Sequence, residues 1–145
     1  MSRRLAVLLG AGLLLGACSA MSASSALQQW VTQSGFHHAR TVLRGDARHA
    51  ADALRNPRST DSDLHTVCAV LLVDTQSANA SLPTPDDQAT TLLSSAYTEF
   101  GAGANQCYRA SSSVSARRRA LASLEDAVGT LSEASARINS ASASS

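Results

Sequence analysis

Lysine is absent from these 145 residues, isoleucine occurs once, at Ile138, and the aromatic set is one Trp, two Tyr and two Phe. With so few rings, a core has to be assembled from Ala, Leu and Val. The longest uncharged apolar stretch, Leu5 to Ala17, has 13 residues, whereas a membrane-spanning helix needs about 20. A transmembrane anchor is therefore not expected. No closely spaced C-x-x-C pair supports a redox centre, and the G-x-S-x-G elbow of a serine hydrolase is missing. Serine is so abundant that pairing one with a histidine on paper means nothing, and the chain is expected not to be an enzyme.

What is present begins with Arg3 and Arg4, an apolar stretch from Leu5 to Leu15, and the run Leu15, Gly16, Ala17, Cys18. This order resembles a bacterial lipoprotein signal peptide. The resemblance implies cleavage before Cys18 and a diacylglycerol, with fatty acids such as palmitate, on the Cys18 thiol. It also implies a location on the extracytoplasmic face of the cell membrane. An ordinary secretory peptide cleaved at the small residues around Cys18 is the alternative. Two acyl chains suffice for stable anchoring, at about 0.8 kcal/mol per buried methylene. Without Arg3 and Arg4 the remaining ten arginines face eleven acids. That balance gives no general attraction to nucleic acid.

With Cys18 acylated, Cys68 and Cys107 form an even pair outside the cytoplasm and are expected to join in a disulfide. A redox or metal-ligating use of the two thiols has less in its favour. The expected organisation is a signal peptide over 1–17, a lipidated tether over 18–25, one helical domain over 26–139 and a disordered tail over 140–145.

Within the domain, apolar residues recur at helical spacing. Leu27, Trp30, Val31, Ala39, Leu43, Ala47, Ala50 and Leu54 predict a first helix, broken near Ser34-Gly35, with Gly45 as a second candidate break, and stopped by Asn56-Pro57. Leu64, Val67, Cys68, Leu71 and Thr75 predict a second from Thr60 or Asp61 to Asn79. Its segment Val67 to Val73 is apolar all round, so this helix is expected to be the most buried; a strand is the weaker alternative for those seven residues. Thr84, Pro85, Asp86 and Asp87 predict the start of a third, with Thr84 as cap and Pro85 in the first turn. Gly101 and Gly103 mark a bend or a close contact. A fourth helix is predicted after Ser111 to Ser113, with a seven-residue seam of Val114, Arg117, Leu121, Leu124, Val128, Leu131, Ser135 and Ile138. The expected fold is all-α, an antiparallel four-helix bundle with one inter-helix disulfide, Cys68 to Cys107.

The candidate metal ligands are His38, Asp46, His49 and Asp52, all in the first helix. A metal needs three or four converging ligands, which one helix rarely supplies, so no metal and no cofactor is expected. His65 has no evident acid partner. Arg117, Arg118 and Arg119 could meet lipid phosphates or an acidic partner, although solvated side chains are the plainer expectation. Glu133 and Arg137, four apart, can pair.

The Arg-only basic set, the single isoleucine and the Ala/Ser bias suit a GC-rich bacterial genome. From Trp30-Val31 through Cys68, the Leu82-Pro83-Thr84-Pro85 connector and Cys107, the chain is similar to small uncharacterised helical lipoproteins of actinobacteria. That resemblance implies a helical bundle at the cell surface and transfers no functional residue. Two functional classes follow: a noncatalytic interaction module binding an envelope protein, or a carrier or sensor of an apolar ligand held between helices.

Overall fold

A computed structural model describes residues 21–144, so the expected signal peptide and Cys18 lie outside the described residues. The fold is all-helical: α1 (Ala23–Gln33), α2 (Phe36–Arg55), α3 (Asp61–Asn79), α4 (Asp87–Tyr108) and α5 (Val114–Ala143). No strand occurs among the described residues, so the segment Val67 to Val73 is helical.

The expected break at Ser34-Gly35 separates α1 from α2. Gly35 takes a left-handed conformation (φ 65°) that side-chain-bearing residues avoid. Gly45 does not interrupt α2, because nothing there demands a turn and Leu43 and Ala47 on either side are buried. Apart from α2, whose cap position is Gly35, the helix starts carry side-chain caps. Ser22 caps α1, Thr60 and Asp63 form a reciprocal capping box on α3, and Ser113 caps α5. The tether expected over 18–25 is thus helical from Ala23, with Ser24 already buried.

Two further boundaries differ from expectation. The cap of α4 is Asp86, which accepts from the Ala89 N–H at 2.7 Å. Thr84 instead turns inward, donating to the Asp86 carbonyl (2.7 Å) and meeting the Thr90 hydroxyl at 3.0 Å. The Ser/Ala segment expected to be a disordered tail continues α5 through Ala143. There Ile138 is buried, and the Gln28 amide of α1 donates to the Ser142 carbonyl at 2.8 Å. A neighbouring helix supplies the contact that local sequence lacks.

α4 packs against α3 and α5, α2 packs against α3 and α5, and α1 rests on α5 and α2. α3 has neighbours on one side only, which explains why its apolar circumference is not all covered. Leu64, Cys68, Leu71, Thr75 and Ala78 are buried, while Val70 and Val73 face solvent. The more enclosed surface lies between α4 and α5. The deeply buried face of α5 is Ala120, Leu124, Ala127, Leu131, Ala134 and Ile138, a column of alanines beside a column of larger residues. The predicted seam positions Leu124, Leu131, Ser135 and Ile138 are buried, whereas Ala120, Ala127 and Ala134 take the place expected of the column Val114, Leu121 and Val128. Leu121 and Val128 lie at the half-buried edge of this face, and Val114 is outside it.

The disulfide joins α3 to α4 with a Cα–Cα distance of 5.8 Å, both cysteines being fully buried. Closing a separation of 39 residues lowers the entropy of the unfolded chain by about 4 kcal/mol at room temperature on the chain-entropy account. For a domain of this size that is a large share of net stability.

The two glycines of α4 have opposite roles. A Cβ on Gly101 would meet nothing, but one on Gly103 would lie 2.7 Å from Leu124 Cδ2 and 3.2 Å from its Cγ. Gly103 thus sets how closely α4 approaches α5. Gly101→Ala is expected to raise stability by up to about 1 kcal/mol through helix propensity. Gly103→Ala is expected to lower it, because overpacking costs about 1–3 kcal/mol and outweighs the same propensity gain. Urea unfolding of the two variants checks the sign of each.

Candidate functional site

The four candidate metal ligands all lie on α2 but do not converge. His38, His49 and Asp52 are exposed, and Asp52 is 3.6 Å from Arg55. Among the described residues no group of three or more His, Cys, Asp or Glu is placed to hold a metal ion.

Asp46 differs from the other three. It is half-buried, its Oδ2 has no hydrogen-bond partner from a donor group, and it comes within hydrogen-bonding reach of the Asp74 carboxyl on α3. Burial, then the hydrogen bond and negative charge of Asp74, hold the Asp46 pKa above the usual carboxylate value, with His49 opposing. Sequence spacing within α2 gave no sign of Asp74, since the pairing depends on how α2 and α3 face each other.

His65 finds an aromatic partner rather than an acid. Its ring stacks on Tyr108 with centroids 4.1 Å apart and planes inclined by 11°. Trp30 packs beside Phe36 (centroids 5.7 Å) and donates its indole N–H to the Ser81 carbonyl at 3.0 Å. Both aromatics near the start of the domain therefore serve packing: Phe36 is buried and Trp30 half-buried. Among the described residues Arg137 makes no ion pair with Glu133. It grips Asp86, donating from Nε at 3.0 Å and from a second nitrogen. Asp86 thus caps α4 and binds α5 with the same carboxylate, and the Arg137 hydrogen bonds hold its pKa below the usual value.

The arginine run divides by role. Arg117 is not a solvated side chain. It donates to the carbonyls of Ser111 (2.6 Å), Asn56 (2.8 Å) and Ser59 (2.9 Å), fastening the α2–α3 and α4–α5 connectors to the start of α5. Arg118 and Arg119 are exposed. Beside Arg117 opens a cavity of about 620 Å³, with Leu54, Pro57, Val114 and Leu121 as apolar wall and Arg55, Arg117, Arg118 and Asp61 as its charged residues. A second hollow of about 250 Å³ lies between α2 and α5, bordered by Arg44, Arg48 and again Arg55. Neither hollow was foreseen, because each is made by residues from separate helices.

No protein-family model, curated protein or solved structure matches the chain. No helix among the described residues is long and apolar enough to cross a membrane.

Two carboxylates give opposite pH dependences. Asp46, with its raised folded-state pKa, adds stability at low pH that is lost as pH rises through that pKa. Asp46→Asn is accordingly expected to be more stable than wild type at neutral pH, with the advantage shrinking in acid. Asp86, with its lowered pKa, adds stability above the ordinary carboxylate value that is lost as pH falls through the folded value. Asp86→Ala is expected to cost at least the ~1 kcal/mol of a lost N-cap, and Asp86→Asn, which keeps a capping oxygen, less. Urea midpoints followed by circular dichroism between about pH 2 and 7 check both signs.

Proposed function

We propose that the protein is a lipid-anchored, noncatalytic interaction module of the cell envelope, held through Cys18 on the extracytoplasmic face of the membrane. The Leu15-Gly16-Ala17-Cys18 run supports the anchor. The Cys68–Cys107 disulfide carries the location, because such bonds persist in oxidising compartments. The exposed pair Val70 and Val73 supports a protein partner. Val73 is 62% exposed on the side of α3 that no other helix covers, as expected of a face that meets another protein. The reading extends to architecture: α2 to α5 form an antiparallel four-helix bundle, with α1 laid against it. Asp86 at the start of α4 meets Arg137 near the end of α5, and Arg55 at the end of α2 meets Glu125 in the first half of α5, both of which support that arrangement.

Metabolic labelling with an alkyne fatty acid tests the anchor. Wild type is expected to incorporate label and sediment with membranes, whereas Cys18→Ser is expected to do neither; label retained in Cys18→Ser would overturn it. A photocrosslinker placed at Val73 in cells tests the partner face. A discrete adduct, absent when the crosslinker stands at exposed Asn139, is the expected result.

A further inference from the structure

The large cavity and the adjoining hollow share Arg55, so they border one continuous strip along α2 and the start of α5. Five arginines line it, Arg44, Arg48, Arg55, Arg117 and Arg118, against the two acids Asp61 and Glu125. In a chain whose arginines and acids nearly balance, this is a strong local excess of one sign. Arg55 is taken up by Glu125 at 3.0 Å and Asp52 at 3.6 Å, and Asp61 accepts from the Ser111 hydroxyl at 3.2 Å. Arg117 is fixed by its three carbonyls. Among the described residues Arg44, Arg48 and Arg118 make no ion pair or hydrogen bond to another side chain. Their guanidinium groups are therefore available to an incoming anion.

The same cavity has an apolar lining. Leu54 is its buried base and Leu121 its half-buried side, and Val114, 70% exposed, is the most exposed large apolar residue described. A volume of about 620 Å³ falls in the range of small-molecule sites, about 300–1,000 Å³. A hydrophilic anion would leave Val114 and Leu121 wet, and a neutral apolar molecule would strip water from the arginines without replacing it.

We propose that the cavity is a binding site for an anionic amphiphile, its acyl tail on Val114, Leu121 and Leu54 and its carboxylate or phosphate held by Arg118. Such a group could be offered by a free fatty acid or by a lipid still in a bilayer. The test uses the full chain carrying Cys18→Ser, with sodium laurate below its micelle concentration and dodecyltrimethylammonium as the cationic counterpart, both by calorimetry. Sedimentation with phosphatidylglycerol and phosphatidylcholine vesicles runs in parallel.

Laurate is expected to bind and the cation not. Arg118→Glu and Val114→Asp are each expected to weaken binding about tenfold or more, as loss of a charge-assisted bond or of tail burial would. Arg109→Glu, an exposed change outside the cavity, is expected to leave binding as it is. Both cavity variants alter exposed side chains, and unchanged unliganded melting shows that they fold. Laurate binding without vesicle binding assigns a free amphiphile. Selective binding to phosphatidylglycerol vesicles, lost in both variants, assigns a bilayer lipid. Binding to neither probe, equal binding of laurate and the cation, or binding that survives both substitutions overturns the proposal.

Discussion

Helices that meet through small side chains must come close together, and in this protein that approach governs the rest of the structure. Alanine offers little apolar area by itself, so its contribution depends on bringing backbones near enough for neighbouring leucines to interdigitate. The column Ala120, Ala127 and Ala134 on α5, and Ala96, Gly103 and Ala104 on α4, permits this. Leu124 then fills the space over Gly103. Phe100 is fully enclosed in the same core, one of few large rings for which the packing has to find room.

The covalent link reinforces a helix pair that is already packed together. α3 packs on α2 and α4 and leaves Val70 and Val73 exposed, and Cys68 ties its buried face to Cys107 near the end of α4. Polar fastenings complete the attachment at other points. Asp86 with Arg137 joins the start of α4 to α5, and Arg117 draws both connectors onto the start of α5. These contacts act between elements distant in sequence, which suits a chain whose local segments, rich in Ser, Ala and Gly, bring modest packing strength individually.

The legible part of the fold was the part written locally. Helical spacing located the helices, Ser34-Gly35 separated α1 from α2, and the parity of the cysteines left after Cys18 was assigned to an expected lipid anchor joined Cys68 to Cys107. The errors came from tertiary contacts. Ser140 to Ala143 are helical because α1 lies along them, Thr84 is not a cap because its hydroxyl is used inward, and Val70 and Val73 are exposed because no helix covers that side of α3. The same limit applied to the site. Asp46 was visible on α2, but its partner Asp74 lies on another helix, and the cavity beside Arg117 gathers residues from positions 54 to 121.

The two ends of α5 lie against different parts of the chain. Ala141 and Ser144 border the same hollow as Ala23 and Ser24, whereas Val114 and Arg117 border the large cavity. The helix advances about 1.5 Å per residue, so the hollow near Ala23 and the cavity near Val114 are separated by roughly 40 Å along its axis. A chain fastened a few residues before Ala23, as proposed, would therefore hold its arginine-lined opening at the end of α5 remote from the fastening. The long helix would act as a spacer, setting the distance between the proposed anchor and the opening at its far end.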